Sequence, residues 1–463
     1  MKILVPTFKP SPMMTKTQLA DLGLFDAKVP RYTSYPTSPQ FTPSITGDMF
    51  ARWISVIPEG SAISLYIHVP FCRRLCWFCA CRTQGTQKEA PVRAYLQVLK
   101  DELALLQATL PRGVRLARLH WGGGTPTLLS ADMMRELAEE IAKVAPFAPD
   151  YEFSVEIDPN EIDSARLDAL AAAGMNRASI GVQDFDDEIQ RAIGRIQSFE
   201  ATRNAIDMIR AHGVESLNAD ILFGLPHQSK ERITESVQKL LALSPDRVAL
   251  YGYAHVPWMA KRQQMIPSEA LPTPEERLDL FEAARKLFVW DGYAEIGIDH
   301  FARPDDGLTR AQNTGKLRRN FQGYTDDTSD VLIGLGASSI SRFPQGYAQN
   351  APATSAHAKK IEEGHFSTSR GHAFSDEDKL RSRLIEMIMC DFRIDAAEIV
   401  SEHHISTTEL QKMMTEANMR FANRLSVTAE GLFIPEAMRP LTRLIARAFD
   451  AYDLSKAGHS SAI

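Results

Sequence analysis

The sequence predicts an α/β protein with a partial (β/α)6-type parallel barrel, an N-terminal arm and a small, mostly helical C-terminal domain. Two observations predict the barrel. Between residues 60 and 300, short apolar runs rich in β-branched residues alternate with longer segments of helical periodicity, as in repeated βα units. About six such units follow one another, which favours an open or closed barrel over a doubly wound sheet. Periodicity alone does not separate these two architectures.

The apolar runs predict the strands, and several segments between them have readable helix ends. The predicted strands are 63–68, 116–121, 152–157, 177–182, 218–222, 248–253 and 294–298. Thr273, Pro274 and Glu276 predict a helix start, with an N-cap, a proline in the first turn and a capping-box glutamate. Glycines that follow apolar-periodic stretches predict helix ends at Gly174, Gly213 and Gly292.

The chain divides into three predicted segments: an arm at 1–55, a barrel at 56–365 and a helical or winged domain at 366–463. In the arm, the motif RYTSYPT at 31–37 is rich in aromatic residues and proline, which predicts a segment packed on the barrel rather than a free tail. The last segment reads as two helices, short strands at 425–428 and 432–435, and a further helix.

Composition excludes several function classes. Of 463 residues, 44% are hydrophobic and 24% are charged, which is typical of a globular protein. The net charge of −6 gives no field that would gather nucleic acid or anionic lipid, so neither partner is expected. The amino-terminal apolar run is too short for a signal peptide, and no stretch approaches the length of a membrane span. We therefore expect a cytoplasmic protein.

Four of the five cysteines lie within ten residues, which is too crowded for a disulfide framework. The gaps between Cys72, Cys76 and Cys79 let each thiol reach a different iron of one 4Fe-4S cubane. The fourth iron then has no evident protein ligand, as in a site built for reaction. The alternative is a structural zinc site with Cys81 as the fourth ligand, although the Cys79–Cys81 spacing is tighter than such sites normally use.

The position of these cysteines points to an active site. The apolar run at 63–68 ends just before the cysteines, so they should lie at the carboxyl end of the first barrel strand, where barrel enzymes place their active sites. The next strand is followed by a glycine run at 122–124, which lets backbone groups approach a ligand closely. A plain βα turn is the alternative explanation of the glycines.

The spacing CxxxCxxC after a first strand, with GGGTP after the second, resembles the radical S-adenosylmethionine superfamily. The resemblance implies that the methionyl amine and carboxylate of S-adenosylmethionine chelate the free iron. It also implies that one electron from the cluster cleaves the sulfonium to give methionine and a 5′-deoxyadenosyl radical.

From about Tyr32 to Asn350 the chain is similar to the oxygen-independent coproporphyrinogen III oxidase family. The segments that carry this resemblance are 30–37, the cysteine loop with Cys81, 122–126, 154–159, 181–185, 223–226, 253–255, 299–304 and 319–324. The resemblance implies that two propionates of coproporphyrinogen III become vinyls, giving protoporphyrinogen IX with one S-adenosylmethionine consumed per decarboxylation. An electron donor, an electron acceptor and a monomeric enzyme belong to the same expectation.

The family resemblance implies two S-adenosylmethionine molecules near the cluster. The residues expected to bind them are Tyr66, Phe78, Gly123, Gly124, Thr125, Glu156, Gln183, Arg195, Asp220, Ala254 and Ile340. Carboxylates can accept from amine or ribose hydroxyl groups and Arg195 can pair a carboxylate, so the set is chemically reasonable. Glu156 and Cys81 are the expected catalytic residues. Without the resemblance, an isolated glutamate is more often solvated and Arg195 is as well explained by a surface charge.

Candidates for the substrate carboxylates are Arg31, Arg303 and the pair Arg318 and Arg319. The main rival function is a haem chaperone of the same superfamily, which binds haem without decarboxylating a substrate. Its pattern usually lacks both the RYTSYPT arm and the cysteine equivalent to Cys81, so the oxidase is favoured. The chain departs from the oxidase pattern at Ala80 and Arg82, where glycine and asparagine are expected. Cys390 is expected to be a buried core thiol.

Overall fold

The computed structural model describes residues 14–453 and 460–463, so residues 1–13 of the predicted arm lie outside the described chain. The strands are β1 Ala62–Val69, β2 Phe71–Cys72, β3 Gln84–Gly85, β4 Arg115–Gly123, β5 Phe147–Ile157, β6 Arg177–Gln183, β7 Ser216–Phe223, β8 Arg247–Gly252, β9 Ala294–Ile296, β10 His300–Ala302, β11 Arg318–Asn320, β12 Gly323–Thr325, β13 Leu332–Leu335, β14 Ile340–Phe343, β15 Gly346–Asn350, β16 Thr368–Ala373, β17 Arg393–Asp395, β18 Ser426–Thr428 and β19 Gly431–Phe433.

The helices are α1 Lys16–Asp21, α2 Gly47–Ser55, α3 Ala90–Thr109, α4 Ala131–Val144, α5 Ser164–Ala172, α6 Asp187–Ala192, α7 Phe199–Ala211, α8 Lys230–Ala242, α9 Pro274–Trp290, α10 Gly307–Asn313, α11 Thr354–Glu362, α12 Asp376–Asp391, α13 Ala396–Glu402, α14 Thr407–Arg420 and α15 Thr442–Arg447. Short 3₁₀ turns lie at Ser38–Gln40, Pro126–Leu128, Lys261–Met265, Ser268–Ala270 and Glu436–Leu441. None of the helices in the described residues is both long enough and apolar enough to cross a membrane.

A 12-stranded sheet organises the molecule, in the order β16-β15-β14-β13-β1-β4-β5-β6-β7-β8-β10-β9. From β1 through β4 to β8, the neighbouring strands are parallel and follow one another in chain order. Helices alternate with these strands along the chain. The strand order is linear between two edge strands, so the barrel is open. The predicted α/β class with a partial parallel barrel is confirmed.

The sheet also contains strands that the sequence did not predict. β13 pairs in parallel with β1, and β14, β15 and β16 continue from it as antiparallel neighbours. This extension runs to Ala373, beyond residue 365, where the barrel segment was expected to end; the division into segments stays a prediction. The predicted strand at 294–298 also differs in role, because β9 is an antiparallel edge partner of β10 rather than a further parallel strand.

The predicted helix ends are present. Thr273 and Glu276 form a capping box at the start of α9, and Pro274 is its first residue. Gly174, Gly213 and Gly292 follow the C-caps of α5, α7 and α9 with φ of 90°, 81° and 87°. This left-handed conformation favours glycine, because a Cβ would be crowded there.

The arm packs on both parts of the molecule: α2 joins the barrel core, as expected, whereas the RYTSYPT motif packs against the C-terminal helices. Tyr32 and Tyr35 share an apolar cluster with residues of α12, α14 and α15. The Tyr32 hydroxyl donates to Asp450 at 2.9 Å, and the Tyr35 hydroxyl accepts from the backbone N–H of Ala451 at 3.0 Å. The two phenol oxygens find polar partners there, so the aromatic motif is fixed by the end of the chain. Arg31 reaches the barrel by donating to Gly252 O at 2.5 Å.

Alternation along β1 separates the core from the reaction face. Ile63, Leu65 and Ile67 join the large apolar cluster formed with the surrounding helices. Since successive side chains of a strand point to opposite faces, Tyr66 and His68 point into the barrel. Strand alternation therefore places polar groups of the first strand inside the barrel, next to the cysteine loop that follows it.

A buried carboxyl on α3 makes stability depend on pH. Glu102 is 0% exposed and accepts from Gly336 N at 2.7 Å and Asn350 Nδ2 at 2.8 Å. Burial raises the pKa of Glu102 to about 8, although both hydrogen bonds lower it. The carboxyl of Glu102 binds its proton more tightly in the folded protein than in the unfolded chain. The protonated carboxyl therefore contributes stability at low pH, and this contribution is lost as pH rises through about 8.

We therefore expect Glu102 to lower the free energy of unfolding by up to about 1.4 kcal/mol per pH unit between its unfolded and folded pKa values. Unfolding of the wild type and Glu102→Gln by urea, from pH 5 to 8 under anaerobic conditions, measures this. The glutamine amide cannot titrate, so the free energy of unfolding of Glu102→Gln should fall less steeply with pH than that of the wild type. Identical slopes would show that Glu102 is ionised in the native protein across this range.

Candidate active site

The cysteine loop lies at the carboxyl end of β1, as predicted. β2 and β3 pair in parallel at Phe71–Gln84 and Cys72–Gly85, which closes the base of the loop. Cys72, Cys76 and Cys79 are half-buried, whereas Cys81 is exposed. A short loop with a tied base holds the thiols at one edge of the sheet, where the carboxyl ends of the parallel strands meet.

The surroundings of the thiols suit thiolates bound to iron. Arg195 Nη1 donates to Cys76 Sγ at 3.6 Å, and the hydroxyls of Thr125 and Thr83 donate to Cys72. Burial raises the pKa of Cys72 to about 11 in spite of these donors, so ionisation of this thiol calls for a bound cation. Three thiols with hydrogen-bond donors at their sulfurs therefore fit a 4Fe-4S cluster.

In the described residues, no group of three or more His, Cys, Asp or Glu side chains is arranged to hold a single metal ion. A cubane does not require such convergence, since each thiolate binds a different iron.

Two side chains that the sequence analysis did not single out fasten the loop to the barrel. Arg262 Nη2 donates to Cys81 O at 2.9 Å and to Thr83 Oγ1 at 3.0 Å. Gln263 Nε2 donates to Phe78 O at 2.7 Å and to Ala254 O at 3.0 Å, which joins two of the expected cofactor residues. Both contacts go mainly to backbone carbonyls, so no motif in the sequence marks them.

The glycine run packs directly against the cysteine loop and the barrel interior. A Cβ at Gly122 would lie 2.7 Å from Glu156 Oε1, and one at Gly124 would lie 2.5 Å from Phe71 O. Gly123 has φ of 110°, and a Cβ there would lie 2.5 Å from the His68 ring. These distances exclude any larger residue without a shift of its neighbours. The run is therefore more than a βα turn; a cofactor contact at Gly123, Gly124 and Thr125 stays a prediction.

Glu156 projects from β5 into the barrel, not into bulk solvent. Its Oε2 accepts from Gly123 N at 3.0 Å, and its Oε1 lies 3.3 Å from His120 Nε2. Burial opposes ionisation of this carboxyl, but the His120 and Gly123 contacts outweigh burial, and the pKa of Glu156 lies below its usual value. A charged carboxylate is thus held beside the glycine run and can accept from an amine or a hydroxyl.

Asp220 on β7 and Gln183 with Arg195 complete this part of the site. Burial raises the pKa of Asp220 to about 6; the Asn218 hydrogen bond lowers it and the Glu156 charge raises it. An ideal Cβ at Gly181 would lie 3.0 Å from Gln183 Nε2 and 3.2 Å from Arg195 Nη2, so these side chains flank Gly181. Arg195 also lies 3.5 Å from Asp158. Arg195 is thus fixed beside the cysteine loop and is not a surface charge.

Tyr66 and His68 link the first strand to the loop. Tyr66 stacks on His120 with ring centroids 5.7 Å apart, and its hydroxyl contacts His68 Nδ1 at 2.9 Å. His68 Nε2 lies 3.4 Å from Arg82 O. Burial lowers the pKa of His68, so the ring is neutral near pH 7, with its Nε2–H donating to that carbonyl. Position 82 is held through its backbone oxygen, so the departure from asparagine leaves this contact in place.

Ile340 begins β14 next to Gly334, the residue of β13 that pairs with Tyr66. The expected cofactor residues therefore surround the carboxyl-end edge of the sheet. Cys390 is 1% exposed and packs in a small apolar cluster with Leu308 and Leu317, as expected of a core thiol.

The four arginines expected to meet the substrate divide into two groups. Arg31 and Arg319 line a cavity at the edge of the barrel. Arg303 instead pairs with Asp291 at 3.3 Å and lies over the Tyr293 ring, and Arg318 faces Glu386 at 3.9 Å. Neither Arg303 nor Arg318 lines the cavity that contains Arg31 and Arg319. Sequence spacing did not separate the groups, because it gives no information on ion pairs between distant segments.

Comparison with known proteins adds the family. The model of the Radical SAM superfamily matches residues 66–240. An oxygen-independent coproporphyrinogen III oxidase of Paracoccus denitrificans is 66% identical over 451 residues, covering 97% of this chain and 100% of the relative. One from Cereibacter sphaeroides is 59% identical over 443 residues, covering 96% and 98% of the two chains.

A solved structure is similar along most of the chain. It is the coproporphyrinogen III oxidase of Escherichia coli, described as a radical SAM enzyme, with a TM-score of 0.87 and 34% identity over 92% of this chain and 100% of that one. Identity at this level over the full length of the relatives, together with the thiol loop and glycine run, determines the family. The chain belongs to the oxygen-independent coproporphyrinogen III oxidases of the radical S-adenosylmethionine superfamily.

Proposed function

We propose that the protein decarboxylates two propionates of coproporphyrinogen III without oxygen, giving protoporphyrinogen IX in haem biosynthesis. The observation that carries the proposal is the 66% identity to a coproporphyrinogen III oxidase over 97% of the chain, in a protein with the thiol loop and Glu156 at one edge. A 4Fe-4S cluster and two S-adenosylmethionine molecules are its cofactors. Together they supply the one-electron reduction and the hydrogen-atom abstraction that begin each decarboxylation.

The residues of the chain hold and orient these groups. Cys72, Cys76 and Cys79 ligate the cluster, and Arg195 donates to the sulfur of Cys76, which favours its thiolate form. Glu156 accepts from an amine or ribose hydroxyl group of a cofactor molecule. Gln263 fastens Phe78 and Ala254 to each other through their carbonyl oxygens, so two expected cofactor contacts keep a fixed spacing.

The contacts of the remaining expected cofactor residues are proposed on the same grounds. Asp220, with a pKa of about 6, accepts from a hydroxyl group when ionised. Gln183 and Arg195 flank Gly181 and offer donors to a carboxylate. Tyr66, the backbone of Gly123 to Thr125, and Ile340 contribute the remaining surface.

Anaerobic turnover tests the function. Reduced protein with its cluster, S-adenosylmethionine and coproporphyrinogen III should release two carbon dioxide molecules per protoporphyrinogen IX and consume two S-adenosylmethionine. A haem chaperone would instead bind haem and leave coproporphyrinogen III unchanged. The arm motif and Cys81 favour the oxidase over the chaperone. Haem binding without any decarboxylation would overturn the proposal.

Glu156→Gln should weaken cofactor binding. The amide keeps the shape of the side chain but loses the charge that receives a cofactor amine or hydroxyl. A lost charge-assisted hydrogen bond of about 1.5–3 kcal/mol corresponds to a Kd for S-adenosylmethionine raised about 10- to 150-fold. Isothermal titration of the cluster-loaded protein measures the change. Glu139→Gln, at an exposed position of α4, is the matched control. Equal affinity of the two variants would remove Glu156 from the binding site.

The cellular location, oligomeric state and partners of the enzyme also belong to the proposal. The three ligand thiols have to stay reduced to bind iron, which supports a cytoplasmic location. The proposal includes a monomer without a nucleic-acid or membrane partner, since a net charge of −6 gives no field that would gather nucleic acid or anionic lipid. An electron donor and an electron acceptor complete the reaction. Sedimentation equilibrium of the anaerobic protein tests the monomer.

A further inference from the structure

A cavity of about 290 Å³ lies at the edge of the barrel, away from the cysteine loop. Its wall is formed by the end of β8, the arm, α9, the start of α15 and the segment 460–463. The lining is rich in arginine, with Arg31, Arg277, Arg285, Arg319, Arg439 and Arg443. The carboxylates in the same wall are Glu282, Glu295, Asp299 and Glu436. Arginines therefore outnumber carboxylates.

The three glutamates of the wall already form ion pairs with arginines. Arg285 pairs with Glu282 at 3.3 Å, with Glu436 at 3.5 Å and also with Glu295. Arg439 lies 3.8 Å from Glu295. Two arginines face three glutamates on this side of the cavity, so the excess positive charge of the cavity comes from the other arginines.

Arg31 and Arg443 have no carboxylate among their hydrogen-bond partners in the described chain, whereas Arg277 Nε donates to Ile463 O, at the last residue of the sequence, at 3.0 Å. Arg31 donates to Gly252 O, and Arg277 Nη2 donates to Tyr253 O at 2.8 Å. Arg443 donates only to backbone carbonyls of the arm and of segment 460–463. Carbonyl oxygens satisfy N–H groups but carry no net charge. Arg31 and Arg443 thus carry positive charge inside the protein that no hydrogen-bonded carboxylate compensates.

Arg319 has unused hydrogen-bond donors. Its side chain is 3% exposed and lies 3.7 Å from Asp299, beyond hydrogen-bond range. In the described residues its Nε and Nη1 have no hydrogen-bond partner. Burying a guanidinium with two unpaired nitrogen donors costs free energy unless a ligand accepts hydrogen bonds from them. Arg319 therefore points independently to an anion in this cavity.

The electrostatics of the cavity agree with this geometry. Burial lowers the pKa of Arg443 to about 9 and that of Arg277 to about 10, and the charge of Arg31 lowers both further. For Asp299, burial opposes ionisation, but Arg319 and His300 outweigh it and bring its pKa to about 2. Asp299 thus stays charged and compensates Arg319 in part, while the other three arginines repel one another.

The cavity adjoins the reaction face through β8. Gly252 and Tyr253, whose carbonyls bind Arg31 and Arg277, directly precede the expected cofactor residue Ala254. Tyr251 connects the two regions electrostatically: burial raises its pKa, and the charges of both Asp220 and Asp299 raise it further. Ala254 itself lines the cavity, so a ligand there lies next to an expected cofactor contact.

We propose that this cavity binds propionate carboxylates of the porphyrinogen that are not removed in the reaction, with Arg31 and Arg319 as the first contacts and Arg277 and Arg443 deeper in the wall. The inference rests on the proposed function. The planar guanidinium fork matches a carboxylate in two parallel hydrogen bonds, which fixes the orientation of the macrocycle. The subsite would thereby decide which propionates face the cofactors.

Arg319→Gln and Arg31→Gln test the subsite, with Arg303→Gln as the matched control because Arg303 is paired with Asp291. Binding of coproporphyrinogen III to the anaerobic holoenzyme with S-adenosylmethionine is followed by equilibrium dialysis. We expect Kd and KM to rise about 10- to 100-fold in the two variants and not in the control, since a charged hydrogen bond is lost. Iron content and uncoupled S-adenosylmethionine cleavage should stay at wild-type values. Arg319→Lys, which keeps the charge, should recover part of the affinity.

A second measurement compares the binding of the free acid with that of its methyl ester. The wild type should bind the tetramethyl ester of coproporphyrinogen III at least 10-fold more weakly than the free acid, and Arg319→Gln should discriminate less between them. Equal binding of ester and acid by the wild type, or unchanged Kd in both variants, would overturn the subsite. If the wild type itself fails to decarboxylate coproporphyrinogen III, the proposed function fails instead, so the two failures are distinct.

Discussion

Changing Cys72, Cys76 or Cys79 to serine is expected to give a colourless protein without detectable decarboxylation. A hydroxyl is a much poorer ligand for iron than a thiolate, and each thiol has its own iron to bind. The wild type, isolated anaerobically, should be brown and oxygen-sensitive, with about four iron and four sulfide per chain. Iron and sulfide analysis of each variant, on the preparation used for turnover, measures the effect.

Cys390→Ala is the control, since Cys390 is 1% exposed in an apolar cluster and makes no contact with the loop. It should keep the cluster at wild-type iron content. Retention of full iron by a serine variant would remove that residue from the ligand set. Stoichiometric zinc without sulfide in the wild type would replace the cluster by the zinc alternative.

Cys81→Ser is expected to keep iron, sulfide and cofactor affinity but to lose decarboxylation about a hundredfold or more, the range of a group that takes part in proton transfer. Cys81 is the most exposed of the four loop thiols, and its N–H donates to Cys79 Sγ at 3.4 Å. Arg262 holds the carbonyl of Cys81 at 2.9 Å. The backbone thus keeps the residue beside a ligand sulfur, and the Cys81 thiol itself hydrogen-bonds to the side chain of Cys79.

Reconstitution, iron analysis and product assay on one anaerobic preparation decide the role of Cys81. Loss of the cluster would make Cys81 a ligand, and full activity would make it a small packing side chain. Cys81→Ala adds a further comparison. If alanine and serine fail equally while the cluster remains, the thiol itself is needed, because Arg262 and Cys79 contact the backbone of either variant.

The fold was predictable where residues follow a regular period. The strands of the parallel set and the glycines that end α5, α7 and α9 were found from the sequence, since each depends on neighbours a few residues away. β13 to β16 were missed because they are short or polar and are held by pairing with a distant strand. Thr368–Ala373, for example, contains four polar side chains and resembles a linker in sequence, although it pairs with β15.

The site was predictable for groups that belong to a motif. The cysteines and the glycine run are adjacent in sequence, and their chemistry restricts the residue types that can replace them. Arg277, Arg443 and Gln263 were not found, because their partners are backbone carbonyls that any residue supplies. The sequence grouped Arg303 and Arg318 with Arg31 and Arg319, although only the last two line the arginine-rich cavity. Only the positions of Asp291 and Glu386 in space separate them.

The core shared by the arm and the C-terminal helices has a consequence for the order of folding. Leu19 and Leu24 pack in one cluster with Ile445 and Phe449, and Ala462 N donates to Ala27 O at 2.8 Å. During synthesis the first of these residues leave the ribosome long before the last. The parallel strands and the cysteine loop can therefore assemble while the arm has no partner. The wall of the arginine cavity, which includes Arg31 and segment 460–463, is therefore completed only after the last of these residues has left the ribosome.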